Sequence, residues 1–486
     1  MLAARFIRGC ALLMLPICII LLSTPARAQV LQAKWVEESQ ERIEEIRKAD
    51  IRIIVIDKAG NPVPRCPVHI EQKRHAFLFG LRLPKAMPEN APTKEAMSTT
   101  PLWRVINAVA LDHVTHWPAT QPAADKWDFE NVEQQLAWAT ERKLLARWGG
   151  IISTDPGRMP DWAAGLRGDE LRQAIEAHTE KVITTFGRHI EQFDVVTQLI
   201  DHKHLEKELG FAAIRRLYTL AESQRHAGAT SQFGRSTVAF EDGFAPDRLR
   251  KALTQATAMR EGFVPIDSLA IEVRLNGSLV EAPITRNLSF LGDPGLPVVV
   301  TNLEVAGSSR AAAAVNLETA LRAMFAHASV KGIFFAGLRS DELHSEEAAL
   351  ISDEGSLTES GELLDRMVRE LWWSNVTALA DDLGNVKQRV FAGQYQLTAT
   401  LPDGTIADAQ VMLAAGEQRL ILLQPVKAAP RRQPQLVSDP VQQAAPAGDR
   451  DEAVITTAND RITAPSDSAQ PRPIDGRSRL EFDAAP

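Results

Sequence analysis

Acidic, basic and amide side chains gather at the ends of apolar runs in this chain, and these are the groups that could do chemistry. In AVALDHVTHW, residues 108–117, Asp112, His113 and His116 follow a strand-like run. Two histidines and a carboxylate could make a metal site, but no third convergent ligand is evident, so they are expected to line a polar groove and no metal is assigned. In IDSLAIEVRL, residues 266–275, Glu272 and Arg274 lie two apart and share one face of a strand. Glu272 is then either a carboxylate recruited for acid or base work or one half of an ion pair with Arg274. LPVVVTNLEV, residues 296–305, puts Asn302 and Glu304 on one face and Thr301 and Leu303 on the other. FDVVTQLI, residues 193–200, carries the amide Gln198. Asp194 lies in that run, and Asp201 beyond it is expected to sit in a solvated loop. Glu241 and Asp242 are the other carboxylates beside a strand-like run.

The runs that must position these groups alternate with helical patterns. HAFLFG, AVAL, LLARW, FDVVTQ, STVAFE, LAIEV, PVVVTN and GIFFAG read as strands, separated by amphipathic stretches such as ENVEQQLAWATER and NLETALRAMFAHA. Eight such strands in βα alternation predict an α/β fold, a (β/α)8 TIM barrel over residues 74–375. Before it, residues 29–73 read as a small leader, a charged amphipathic helix carrying Trp35, Ile43 and Ile46 followed by a β-hairpin turning at Gly60-Asn61-Pro62. After it, residues 376–427 alternate apolar and polar positions and predict a small antiparallel β module. Residues 428–486, rich in Pro, Ala, Gln, Arg and Asp, are expected to be disordered.

Several of these segments together resemble glycoside hydrolase family 10, the β-1,4-xylanases. In that family the fourth barrel strand typically reads Trp-Asp-Val-Val-Asn-Glu and its Glu is the general acid/base; here Gln198 holds that place. The strand ending Thr-Glu-Leu-Asp-Val carries the nucleophile, and here its Glu is Asn302. The second-strand motif Glu-Asn-Glu-Met-Lys-Trp is matched by Asp112, His113, His116 and Trp117. The Arg-Gly-His stretch falls on KLLARWGG, so that Trp148 or Gly149 stands for the His, and the closing Pro160 and Trp162 fit. Glu272 and Arg274 stand for the Gln and His of the sixth strand, and Ala336 for the Trp after GIFFAG.

The resemblance implies a saccharide groove at the C-terminal end of the barrel, with Gln198, Glu272 and Asn302 facing one mouth and Asp112, His113, His116, Trp117, Trp162, Arg274 and Glu304 as substrate contacts. A retaining glycosidase needs one carboxylic acid to protonate the leaving oxygen and one carboxylate to attack the anomeric carbon, and an amide does neither. The expected protein is therefore a family 10-like polysaccharide binder, xylan-like in its ligand, that has lost xylanase activity and needs no cofactor. Two other readings stay open: a hydrolase of a different glycan using a recruited acid such as Glu272, and an interaction protein working through its tail.

The N-terminus reads as an export signal, residues 1–28. Arg5 and Arg8 precede the apolar run ALLMLPICIILL, and Ala26-Arg27-Ala28 forms a small-x-small cleavage site. That run is short for a stable membrane anchor, so a secreted or periplasmic protein is expected. Of the 3 cysteines, Cys10 and Cys18 fall within the signal and leave Cys66 without an intramolecular partner. A net charge of −8 with no basic block argues against nucleic acid as a partner.

Overall fold

The computed structural model describes residues 32–87, 100–223, 236–240 and 243–425. The expected signal peptide and tail, together with Glu241 and Asp242, lie outside the described residues.

Two strands open the described chain after a helix over 32–47: β1 (Lys48–Val55) and β2 (Pro67–His75). The barrel follows. Its strands are β3 (Leu78–Arg82), β4 (Ala108–Ala110), β5 (Leu145–Trp148), the two-residue β6 (Ile152–Ser153), β7 (Gln192–Thr197), β8 (Ser236–Phe240), β9 (Ser268–Leu275), β10 (Val298–Val305) and β11 (Val330–Phe335). Every pairing among them is parallel, and the sheet closes where Arg147 and Trp148 of β5 meet Gln192 and Phe193 of β7. β6 adds a short pairing to β7 above that seam. The eight long runs read from sequence are thus the eight staves of a closed (β/α)8 barrel.

Strand periodicity sorts the side chains into two layers. Val299 of β10 and Phe334 of β11 point inward with Leu78, Ala108 and Ala110 to fill the barrel axis. Their neighbours Val298, Val300, Ile333 and Phe335 point outward into the core shared with the helices. Gly80 is required here, because any Cβ on β3 at this position would collide with the Phe334 ring. The surrounding helices include Gly168–Phe186, Pro246–Glu261 and Arg310–Phe325, each laying an apolar stripe on the strands.

Beyond the barrel run β12 (Asn375–Leu379), β13 (Asn385–Phe391), β14 (Gly393–Thr400), β15 (Ile406–Leu413) and β16 (Gln418–Leu423). Here the structure differs from the sequence reading of two separate appendages. β1 lies between β13 and β16, and β2 lies between β12 and β14, so leader and C-terminal strands form one sandwich of two sheets. An isolated hairpin buries too little apolar surface to hold itself together. Joined, the two halves enclose Ile51, Ile53, Val68, Ile70, Tyr395 and Leu397. Cys66 is buried in the same layer as a free thiol.

Arg47, last residue of the first helix, ties the leader to the barrel. Its guanidinium donates to the carbonyls of Phe325, His327 and Val330 at 2.7, 2.7 and 2.8 Å and stacks 4.8 Å from the Phe77 ring centroid.

Candidate functional site

The C-terminal ends of the barrel strands open into a cleft of about 660 Å³, the face on which barrel sites are assembled. β4 and its loop bring Asp112, His113, His116 and Trp117 to it, β9 brings Glu272 and Arg274, and β10 brings Thr301 and Asn302. Seven of the ten residues expected at the site therefore share one cavity.

Three others do not line it. Gln198 sits just past β7, only 7% exposed, and Thr197 borders the cleft in its place. Glu304 is buried, with His344 Nδ1 at 2.9 Å from one carboxylate oxygen and the Ser345 N–H donating to the other at 2.8 Å. Trp162 packs edge-on against Trp117, ring centroids 5.6 Å apart, and donates its indole N–H to the Gln121 carbonyl at 3.0 Å. Trp117 itself is only 2% exposed and donates to the Gln121 side-chain oxygen at 2.9 Å. Trp117 is thus almost wholly covered by its neighbours at the edge of the cleft, while Trp162 is partly buried beside it. The Trp117 ring also lies against His178, at 5.2 Å between centroids.

The backbone explains the departures. Gln198 has φ +64° and Asn302 φ +49°, two of the five non-glycine residues with positive φ among the described residues. A left-handed residue breaks strand alternation and costs stability, and such strain concentrates at functional sites. At Asn302 the break coincides with a register shift between β9 and β10. Thr301 faces inward in step with Val299, and the break turns Asn302 to the cleft beside it instead of outward with Val300. The buried Asn302 Oδ1 accepts no hydrogen bond from the protein.

Each cleft carboxylate faces an arginine. Arg274 Nη2 donates to Glu272 at 2.8 Å, the ion pair that sequence spacing allowed. Arg147, which the sequence reading passed over, is 2% exposed and donates to Asp112 at 3.2 Å and to Asp194. A basic residue inside the apolar run LLARW was its signal, since a buried guanidinium must find an acidic partner. Arg82, Lys85 and Arg158 also border the cleft and were missed. Burial holds His113 and His116 below the ordinary imidazole range; Arg82 pushes the same way on His113 and Arg158 on His116, while Asp112 opposes both. Among the described residues no group of three His, Cys, Asp or Glu side chains is placed to hold a metal. Asp201 lies apart from the cleft, bonded by both oxygens to Arg248.

The profile of Glycosyl hydrolase family 10 matches residues 73–355, the barrel from its first strand to the loops after its last. The chain belongs to glycosyl hydrolase family 10. Solved structures share the fold of this family 10 chain. Xylanase 10B from Thermotoga petrophila RKU-1, in complex with xylobiose, superposes with a TM-score of 0.53 at 15% identity over 60% of this chain and 95% of that one. Native xylanase 10B from Thermotoga maritima does so with 0.53 at 16% over 61% and 97%. Among curated proteins, Anti-sigma-I factor RsgI6 of Acetivibrio thermocellus is 22% identical over 376 residues, 76% of this chain and 47% of that protein. Endo-1,4-beta-xylanase 2 of Arabidopsis thaliana is 20% identical over 332 residues, 68% of this chain and 30% of that protein. The family 10 chain thus spans less than half the length of either relative. Among the described residues, no helix is long and apolar enough to cross a membrane.

Proposed function

We propose that this family 10 chain is an exported saccharide-binding protein that has given up xylan hydrolysis. The observation that carries this reading is the pair of amides, Gln198 and Asn302, at the two positions where the family pattern has carboxylates. The remaining acids do not replace them. A general acid of this chemistry is typically a carboxyl in an apolar pocket that keeps it protonated near neutral pH. Glu272, Asp112 and Asp194 each face a guanidinium instead.

Binding is supported by what the cleft keeps. It is large enough for a short oligosaccharide, and the buried, unengaged Asn302 Oδ1 is an acceptor suited to a sugar hydroxyl. The Thermotoga petrophila xylanase, alike in fold, was crystallised with xylobiose. Export is supported by the n-region, apolar run and Ala26-Arg27-Ala28 site at the N-terminus.

A glycan array run beside a reducing-sugar assay on the purified protein tests the function. Retention of one or more glycans with no release of reducing ends is expected. Hydrolysis of any arrayed glycan, abolished by Glu272→Gln, would replace this reading with that of an enzyme using a recruited acid. Cell fractionation tests export: the mature protein should be found outside the cytoplasm with its first residue near Gln29.

A further inference from the structure

The charge around the cleft is opposite to that of the chain. The whole sequence carries −8, yet the lining holds Arg82, Lys85, Arg147, Arg158 and Arg274 against Asp112, Asp194 and Glu272. Arg147 is committed to its two aspartates and Arg274 to Glu272. Arg82, Lys85 and Arg158 are left over, and they are not scattered. Arg82 ends β3 and Lys85 follows it, while Arg158 comes from the loops between β5 and β7. The β4 loop between them supplies His113 and His116. Loops after consecutive staves of the barrel thus build one basic arc at the mouth.

The three cations have little to do within the protein. Lys85 is exposed and forms no ion pair among the described residues. Arg158 is half-exposed and meets Asp155 only at 3.8 Å. Arg82 reaches the Glu342 carbonyl at a long 3.4 Å, and its Nε is buried without a hydrogen-bond partner. A buried guanidinium N–H left unpaired is costly unless something else accepts from it.

We infer that the ligand of this cleft is an acidic saccharide, whose anionic groups are held by Arg82, Lys85 and Arg158 while its hydroxyls meet His113, His116 and Asn302. This rests on the saccharide-binding reading above and narrows it. Guanidinium forks match the flat oxygen pair of a carboxylate, and also fit a sulfate ester. The two histidines, held neutral near pH 7 by burial, offer both a donor and an acceptor to sugar hydroxyls. The amide at Asn302 contributes too, because a carboxylate there would have set a negative charge in the path of an anionic chain.

Calorimetry on the full chain with three probes tests this: tetragalacturonic acid, a sulfated carrageenan tetrasaccharide, and neutral xylotetraose. At least one acidic probe should bind about tenfold more tightly than xylotetraose. Its affinity should fall several-fold between 50 and 500 mM NaCl, as expected for solvent-exposed charges. The acidic probe that binds more tightly identifies carboxylate or sulfate as the recognised group. Lys85→Glu and Arg158→Glu should each weaken that binding about tenfold without moving the melting temperature, and Arg82→Gln should weaken it as well. Xylotetraose binding as tightly as both acidic probes, with the charge reversals silent, would overturn the inference while leaving saccharide binding intact. Failure of all three probes to bind, with no glycan retained on the array, would overturn both.

Discussion

Asp112 and Gly149 share one space: the Asp112 carboxylate lies where a Cβ on residue 149 would have to go. The bond from Arg147 to Asp112 at 3.2 Å holds it there. Of the two residues that sequence placed near the family's His, Trp148 is buried in the layer under the helices and Gly149 borders the cleft. The His of the family pattern and this Asp112–Arg147 pair therefore exclude each other. Gly149→Ala should cost roughly 1–3 kcal/mol, as overpacking of a filled site does, and the cost should shrink in an Asp112→Ala background. Chemical denaturation of the four proteins measures both. A Gly149→Ala protein as stable as its parent would show that the space is open.

The same pair limits what restoring the carboxylates can achieve. Gln198→Glu with Asn302→Glu should leave xylan hydrolysis at or near background in a reducing-sugar assay. Acid and nucleophile work only when the sugar is held within a fraction of an ångström of the right place, a retaining pair must stand about 5–5.5 Å apart, and Gln198 lies back from the cleft on a left-handed turn. Turnover by the double variant at ordinary xylanase rates would mean that the groove still positions xylan.

The barrel was legible because its strands advertise themselves. Runs such as PVVVTN and GIFFAG are apolar on both faces, and only a parallel sheet covered on both sides buries such strands. Strand ends then located Asp112, His113, His116, Glu272, Arg274 and Asn302 in one cavity. What strict alternation missed was the left-handed backbone at Asn302, which brings Thr301 and Asn302 to the cleft together. No local pattern joined β1 to β13 and β16 either, since register between strands more than 300 residues apart in sequence is set by the assembled core. The family resemblance cast Trp117 and Trp162 as sugar contacts. Gln121, the polar centre on which both indoles converge, had no distinguishing signal.

Two buried histidines should make the fold sensitive to mild acid. Burial pushes His75 and His178 down to about 3, against about 6.5 in an unfolded chain. Between those values the unfolded state binds protons that the folded state refuses, so stability is full above about pH 6.5 and is lost as pH falls toward 3. Each histidine contributes a slope of about 1.4 kcal/mol per pH unit in that window. Denaturation midpoints should drop steadily from pH 7 to pH 5, and His178→Gln should remove about one histidine's share of the slope. Midpoints flat over that range would show that both rings take up protons in the folded protein.

Arg47 should be worth more than any surface charge on the molecule. It is a buried cation whose pKa desolvation lowers to about 9, so it remains charged at neutral pH, and three backbone carbonyls at the end of the helix Arg310–Phe325 and the start of β11 depend on it. Arg47→Met keeps much of the volume but strands those carbonyls, each a loss on the order of 1–3 kcal/mol when buried. A fall in unfolding free energy of about 3 kcal/mol or more is expected. Arg47→Lys should recover only part of it, because one ammonium does not span the positions that the planar fork reaches together. If Arg47→Met unfolds at the parent's denaturant concentration, the leader helix is docked by its apolar stripe alone and the guanidinium contributes nothing net.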